Sequence, residues 1–245
     1  MAEPILETRG LVKAFKKRTV VRGVSVAVQP GEVVGLLGPN GAGKTTTFSM
    51  AVGLLKPDAG SILYQGRDVT RWAMYRRARA GMAYLPQEPS VFRQLSVRQN
   101  LLAVLEYQRL SKADRVDRCD ELLQQLHIEH LADSPAYALS GGERRRTEIA
   151  RALVTRPRVF LLDEPFAGID PISVADLQSI VAGLRDMGIA VLVTDHNVRE
   201  TLHIADRAYI INEGEVILAG TPRQIAEDPK VRSIYLGERF HMDFA

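Results

Sequence analysis

The sequence predicts an α/β fold built on a parallel β-sheet. Three short runs at 33–37, 159–163 and 189–194 are almost wholly apolar, as strands buried on both faces of a sheet are. From residue 158 onward strands alternate with helical stretches, which is typical of a parallel sheet covered by helices. With 245 residues, 46% of them hydrophobic, the chain is large enough to bury such a core beside a smaller lobe.

Two further regions differ from this core. Residues 5–28 alternate apolar and polar positions in two stretches, with a turn-like Lys16-Lys17-Arg18 between them, which predicts a flanking antiparallel sheet. Residues near 96–153 indicate mainly helices, because apolar residues recur there at helical spacing. The two apolar clusters are Leu101, Leu102, Leu105 and Tyr107, then Leu122, Leu123 and Leu126.

The predicted organisation is a helical lobe inserted between two parts of one core. We expect a single domain over 1–236, with its core at 1–87 and 156–236 and the helical subdomain at about 88–155. The remaining 237–245 form a C-terminal tail. Because the tail carries Phe240 and Phe244, we expect it to dock on the domain.

A glycine-rich loop follows the first apolar strand and opens a helix. It matches G-x-x-x-x-G-K-[ST], in which the backbone N–H groups of the loop cradle phosphates. Lys44 supplies a charge for the β and γ phosphates, and the Thr45 hydroxyl is a suitable Mg²⁺ ligand. The predicted nucleotide-binding residues here are Gly38, Pro39, Asn40, Gly41, Ala42, Gly43, Lys44, Thr45 and Thr46.

The second apolar strand ends in two adjacent carboxylates, Asp163 and Glu164, and Pro165 then stops it. Taken alone this would be an ordinary strand end with exposed acids. Beside a phosphate-binding loop, Asp163 is predicted to hold Mg²⁺ through water and Glu164 to act as the general base for the attacking water.

Two more polar residues follow strands. His196 comes after the third apolar strand, and we interpret it as a γ-phosphate sensor, although an isolated histidine is more commonly a surface or core residue. Gln87 follows a strand-like stretch at 82–85, and its amide can contact both water and Mg²⁺. A further phosphate-binding helix start is expected at Ser140-Gly141-Gly142-Glu143.

With these motifs in one order, the chain resembles the ATP-binding-cassette (ABC) ATPases over about residues 5–236. The resemblance implies a P-loop NTPase (RecA-like) core that binds ATP and Mg²⁺, with Thr45, Gln87 and Asp163 around the metal. It also implies a homodimer in which Ser140, Gly142 and Glu143 contact the γ-phosphate of ATP bound to the opposite subunit. Asp170 lies in the family's D-loop, and Phe15 stands where an aromatic stacks on adenine.

Two positions depart from the family pattern. The adenine-stacking residue is more often tyrosine, and phenylalanine at position 15 keeps the π-face. The family's signature motif, Leu139-Ser140-Gly141-Gly142-Glu143 in this chain, ends in Glu143 where glutamine is commoner, so a carboxylate replaces the amide at its last polar contact.

Within the family, five segments resemble the ATPase subunits of lipopolysaccharide export transporters: 84–97, 139–153, 163–171, 194–201 and 235–240. This resemblance implies two transmembrane permease subunits and a small single-span membrane subunit as partners, with Phe92 and Arg93 at the permease contact. The alternative for Phe92 is a place in the core of the helical lobe. The partners would handle lipopolysaccharide, and the chain would be peripheral on the cytoplasmic face of the inner membrane.

Two alternatives stay open from the sequence. The first is the ATPase of an importer for branched-chain amino acids or another small solute, which would share the nucleotide site. The second is an ABC protein acting on DNA or ribosomes, but such proteins usually carry a long coiled coil or two cassettes. A net charge of +3 is too small to argue for nucleic-acid binding.

Composition bounds the remaining expectations. The chain has no apolar run of about 18 residues and no hydrophobic signal region at its N-terminus, so we expect a soluble, cytosolic protein. Its one cysteine, Cys119, excludes an internal disulfide and is predicted to serve packing. The three arginines at 144–146 are predicted to form a solvated or salt-bridged helix face.

Overall fold

The computed structural model describes residues 3–237 and 240–242, and the α/β prediction is confirmed. The strands are β1 (Leu6–Phe15), β2 (Arg18–Val28), β3 (Val33–Leu37), β4 (Ala59–Tyr64), β5 (Arg67–Asp68), β6 (Met82–Leu85), β7 (Val159–Asp163), β8 (Ala190–Thr194), β9 (Arg207–Asn212) and β10 (Glu215–Gly220). The helices are α1 (Lys44–Val52), α2 (Met74–Arg79), α3 (Val97–Leu105), α4 (Lys112–Gln125), α5 (Gly141–Leu153), α6 (Pro171–Asp186), α7 (Val198–Ile204), α8 (Pro222–Glu227) and α9 (Pro229–Val231).

The larger sheet has the strand order β10-β9-β3-β8-β7-β6. Its strands are parallel except β10, which pairs antiparallel with β9. Every residue of β3, β7 and β8 is buried, as their apolar sequences require. Because β3, β8, β7 and β6 are parallel, the loops that follow them lie at the same edge of the sheet. Ligands of such sheets bind beyond this carboxyl edge.

The smaller sheet has the order β2-β1-β4-β5 and is antiparallel. Its first hairpin runs from Leu6, paired with Val28, to Phe15, paired with Arg18. The antiparallel sheet predicted from residues 5–28 is therefore confirmed.

The helical lobe shares its core with the parallel sheet. Leu101 and Leu122 of the lobe belong to the same hydrophobic cluster as Phe160 and Leu162 of β7. Cys119 is fully buried in this cluster, so its packing role is confirmed. The predicted subdomain boundaries stay predictions, because a shared core marks no break between the two parts.

The prediction was wrong for one member of the helical clusters, Tyr107. Tyr107 is 89% exposed because α3 ends at Leu105, with Glu106 as its C-cap. The tyrosine therefore lies beyond the helix and points away from the core that Leu101 and Leu105 fill.

The C-terminal segment packs against a hydrophobic cluster formed by β3, β9 and the helices α7 to α9. Tyr235, Phe240 and Met242 pack against a cluster that contains Leu37, the last residue of β3. The guanidinium of Arg199 lies 5.7 Å from the Phe240 ring centroid. Docking of the tail is thus confirmed at Phe240, whereas Phe244 lies outside the described residues.

Candidate functional site

The loop between β3 and α1 presents backbone N–H groups at a helix start. Gly38 (φ 148°) lies so close to β9 that a Cβ atom would collide with the carbonyl oxygen of Ile211. Gly43 (φ 103°) is the N-cap of α1, and no described side chain caps this helix start. The first-turn N–H groups and the positive end of the helix dipole are therefore free to bind an anion.

Lys44 lies within this loop and is only 9% exposed. Its ammonium donates to the carbonyl oxygens of Gly38 (2.6 Å) and Pro39 (3.1 Å). Burial lowers the pKa of Lys44, and the charge of Glu164 partly opposes this. Since a desolvated cation is costly unless it is paired, the loop favours an anionic ligand beside Lys44.

A cavity of about 380 Å³ lies beside the loop. Pro39, Asn40, Gly41 and Ala42 line it together with residues of β2 and the end of β9. Arg18, another lining residue, is the strand partner of Phe15, whose side chain is 48% exposed. Phe15, the aromatic residue predicted to stack on adenine, thus lies near the phosphate-binding loop.

Three predicted catalytic residues meet at one carboxylate. The Gln87 amide donates to Glu164 Oε2 (2.8 Å), and His196 Nδ1 lies 3.3 Å from the same oxygen. Glu164 has a left-handed backbone (φ 45°), and its N–H donates to the Thr194 carbonyl (2.7 Å). Because such a conformation costs about 1 kcal/mol or more outside glycine, the surrounding strand ends hold Glu164 in place.

Asp163 lies beside this group at the end of β7 and is 6% exposed. Burial, together with the charge of Glu164, raises the pKa of Asp163 to about 6. The Tyr84 hydroxyl lies 3.4 Å from Asp163 Oδ2. A buried acid with a raised pKa beside a second carboxylate is an environment that favours binding of a divalent cation.

The signature residues stand at the start of α5. Ser140 is the N-cap, and its hydroxyl accepts from the Glu143 N–H (3.3 Å) while Glu143 Oε2 accepts from the Ser140 N–H (2.8 Å). These bonds hold the pKa of Glu143 below its usual value. Glu143 therefore completes a capping box in this chain.

The start of α6 lies against the signature. A Cβ atom at Gly142 would clash with the side chain of Ser173, so only glycine fits there. The Asp170 carboxylate caps α6 by accepting from the N–H groups of Ile172 (3.1 Å) and Ser173 (3.0 Å). Gly141 lines a cavity of about 110 Å³ that is separate from the one beside the phosphate-binding loop.

Of the solvated or salt-bridged face predicted at 144–146, the salt-bridged form is confirmed for Arg145, which is only 6% exposed and therefore not solvated. Its guanidinium donates to the carbonyl oxygens of Pro86 (2.7 Å), Asp163 (3.0 Å) and Glu164 (3.2 Å), and it pairs with the buried Glu148 (3.1 Å). Arg145 thus ties the signature helix to the strand ends that carry Gln87 and Glu164. Its i, i+3 spacing to Glu148 was the sequence signal that could have revealed it.

A loop of the helical lobe presents Phe92 at the surface. The ring is 51% exposed and lies 5.1 Å from the Arg151 guanidinium. The buried side chain of Asn100 fixes the loop by accepting from the Phe92 N–H (2.8 Å) and donating to its carbonyl (3.1 Å). Phe92 is therefore not a core residue, and Arg93 beside it is also exposed.

Next to this loop lies a cavity of about 210 Å³, here called the groove. The residues that line it come from α1, α2, β6, α3, α5, β7 and the loop between β6 and α3, among them Val52, Met74, Arg77, Ser90, Val104 and Arg151.

A family model described as ABC transporter matches residues 21–167, more than half of the chain. The chain belongs to the ABC transporter ATPase family. A second model, described as branched-chain amino acid ATP-binding cassette transporter, matches residues 215–241.

Full-length relatives give the same family. The chain is 58% identical to the lipopolysaccharide export system ATP-binding protein LptB of Acidithiobacillus ferridurans, over 97% of this chain and 99% of that protein. It is 56% identical to the protein of the same name from Escherichia coli K12, over 97% and 99%, respectively.

Solved structures agree with the fold. An ATP-binding cassette of an ABC transporter, MJ1267 in its ADP conformation, superimposes with a TM-score of 0.87 at 31% identity, over 97% of this chain and 100% of that one. CbiO1 from Clostridium perfringens, part of an ABC transporter complex, gives a TM-score of 0.85 at 30% identity, over 95% of each chain.

As an ABC ATPase, this chain binds nucleotide and works with membrane permease partners in the manner of its family. Within residues 3–237 and 240–242, none of the helices has the length and apolar content that crossing a bilayer needs.

Proposed function

We propose that this chain is the ATP-hydrolysing subunit of a transporter that extracts lipopolysaccharide from the inner membrane and exports it. The observation that carries this proposal is identity of 53–58% over 97% of the chain with proteins named for lipopolysaccharide export. A branched-chain amino-acid importer is supported only by the match at residues 215–241, which is short beside these full-length relatives.

ATP would bind between two copies of the chain. The phosphate-binding loop and the signature line different cavities, so one chain offers two half-sites that a head-to-tail homodimer would join. Ser140, Gly141, Gly142 and Glu143 would then face the γ-phosphate held by Lys44 of the other copy. Loss of that phosphate on hydrolysis removes contacts from both sides, which reopens the dimer.

The residues around Asp163 fit a Mg²⁺ ion. Thr45, Gln87 and Asp163 offer hydroxyl, amide and carboxylate oxygens, the ligand types that Mg²⁺ prefers, and Asp163 is a buried acid with a raised pKa. When bound, Mg²⁺ would neutralise charge on the β and γ phosphates.

Glu164 would accept the proton of the attacking water. Gln87 and His196 hold its Oε2 at 2.8 and 3.3 Å, which leaves the second oxygen for the water. His196 is well exposed, with 61% of its side chain accessible, so it can reach a γ-phosphate beyond the carboxylate.

Cytoplasmic helices of two permease subunits would dock at the groove, with Phe92 and Arg93 as contacts. An apolar ring beside an exposed arginine has the composition of an interface hot spot, and Asn100 holds the Phe92 loop ready for binding. A small single-span subunit would complete the complex on the cytoplasmic face of the inner membrane. The partners would handle lipopolysaccharide, and we propose no nucleic-acid partner.

Affinity capture tests this proposal. A tagged Glu164→Gln chain, captured from detergent-solubilised membranes with ATP and Mg²⁺, is expected to bring two different permeases with large periplasmic regions and a small single-span protein. Permeases of an importer with a second cassette ATPase would instead overturn lipopolysaccharide export.

The interface is tested in the same assay. Adding Phe92→Ala to the tagged Glu164→Gln chain should abolish permease recovery. Phe92→Ala as a single variant should keep basal hydrolysis near normal. Tyr107→Ala is the matched control, because Tyr107 is an aromatic residue of the same lobe that is 89% exposed. Equal permease recovery with both variants would exclude Phe92 from the interface.

A further inference from the structure

Arg77 on α2 is a buried cation with an unusual set of partners. It is 1% exposed, and its guanidinium donates to the carbonyl oxygens of Met50 (2.8 Å), Ala51 (2.6 Å), Trp72 (3.1 Å) and Thr70 (3.2 Å). No ion pair within 4.0 Å joins it to a carboxylate of the described residues. Burial lowers the pKa of Arg77 to about 10, so it stays charged at neutral pH.

Two of these partners belong to the last turn of α1. The carbonyl groups of a last helical turn lack partners within the helix and carry the negative end of its dipole. Gly53, the C-cap of α1, has φ 91°, and a Cβ atom there would lie 2.8 Å from Arg77 Nε. The chain therefore closes tightly around the contact between the guanidinium and α1.

The opposite end of α1 binds phosphate. Lys44 and Thr45 stand in its first turn, and the helix has nine residues, which makes it about 13 Å long. Phe48, Met50 and Ala51 bury one face of it in the core of the molecule. A displacement at one end of so short and well-packed a helix must reach the other end.

Arg77 also forms part of the groove. Met74, Arg77 and Ala78 of α2 line the groove, as does Val52 at the end of α1. One side chain thus contacts both the surface where a permease would dock and the helix that holds phosphate. This contact is distinct from the covalent path that runs from α2 through β6 to Gln87.

We propose that Arg77 is a positioning residue that couples the groove to the phosphate-binding end of α1. Nucleotide binding fixes α1, the guanidinium transmits this to α2, and a permease helix in the groove acts on the nucleotide site by the same contact in reverse. Such coupling is reciprocal by linkage. The identity of the groove ligand rests on the proposed function, whereas the contact between α2 and α1 does not.

Hydrogen–deuterium exchange on the isolated full-length chain tests the proposal without any membrane partner. ADP with Mg²⁺ should slow amide exchange in α2 about fivefold, at the lower end of ordinary coupling. In Arg77→Lys this slowing should disappear, because an ammonium cannot bond four carbonyls as the planar guanidinium does, while slowing at the phosphate-binding loop remains.

Arg76→Lys is the matched control, since Arg76 is an exposed neighbour whose guanidinium stacks 4.1 Å from the Trp72 ring centroid. It should keep the slowing in α2. Thermal melting verifies that each variant is folded.

Should Arg77→Lys fail to fold, Gly53→Ala supplies the second test, because its methyl group pushes against the guanidinium and should also abolish the slowing. Unchanged slowing in Arg77→Lys or Gly53→Ala, or none in the original chain, would overturn the proposal.

Hydrolysis in the assembled complex separates this inference from the proposed function. The captured permeases should still bind Arg77→Lys, but the ratio of permease-stimulated to basal hydrolysis should fall about fivefold. An unchanged ratio overturns coupling through Arg77. Failure of the original chain to capture lipopolysaccharide-type permeases counts against the proposed function and leaves the exchange result to decide the inference.

Discussion

The two helix starts predicted to meet phosphate are built in opposite ways. α1 begins at Gly43 with no cap from a described side chain, whereas α5 begins at Ser140 with both bonds of a capping box. The N–H groups of α1 are thus free for a ligand, while α5 satisfies part of its own start. Under the proposed function, α1 would bind nucleotide in the single chain and α5 would add its contacts only when a second copy closes.

The helices also differ in what holds them. α1 is held at its end by the buried Arg77, and α5 is held near its start by the buried Arg145. Both arginines bond to main-chain carbonyls of other elements. One buried cation therefore connects α1 to α2 at the groove, and another connects α5 to the strand ends beside Glu164.

The largest expected effect separates binding from hydrolysis. Glu164→Gln should lower kcat by roughly 10²–10⁴-fold, the usual contribution of a general base, while the ATP dissociation constant changes little. Phosphate release and equilibrium ATP binding measure the two quantities. A variant with normal turnover would remove Glu164 from this role.

Arg145→Ala should lower the free energy of unfolding by about 3–5 kcal/mol, because it leaves the buried Glu148 without its cation. Urea unfolding measures this loss. Arg144→Ala is the control, because Arg144 lies on the same helix and forms no ion pair within 4.0 Å among the described residues. It should change the free energy of unfolding by about 0.5 kcal/mol at most. Equal losses in both variants would contradict the buried role of Arg145.

Lys44→Ala tests the α1 half of the comparison. Removing a charged hydrogen-bonding group should weaken ATP binding by about 10–100-fold, whereas Ser140→Ala should leave the affinity of the single chain within about twofold. Calorimetric titration at protein concentrations below dimer formation compares them. Should Ser140→Ala weaken binding as much as Lys44→Ala, both helix starts would serve the same nucleotide in one chain.

The smallest effect concerns the cap of α5. Glu143→Ala should lower the free energy of unfolding by about 0.3–1.5 kcal/mol, the usual contribution of one capping element. Glu143→Gln should change it very little, because glutamine also completes a capping box. Urea unfolding of the two variants gives the answer. A loss with glutamine as large as with alanine would show that the carboxylate charge, rather than the cap, matters.

Much of the site was predictable because its signals are local. Glycines, Lys44 and Thr45 after a buried strand, and Asp163-Glu164 at the end of another, specify a phosphate site through backbone geometry and charge alone. Their convergence follows from parallel strands, whose carboxyl ends share an edge. The meeting of Gln87, Glu164 and His196 at one carboxylate oxygen refines that expectation with distances.

The sequence by itself determined the apolar strands, the antiparallel hairpin, the helix caps and the nucleotide motifs, since each depends on residues close together in the chain. Tertiary structure alone decided the placement of β8 between β3 and β7, and it decided that Arg77 and Arg145 are buried while Tyr107 and Phe92 are exposed. An arginine in a charged helical stretch looks solvated until the carbonyl groups that surround it are known. Those carbonyls come from segments distant in sequence, and no local pattern contains them.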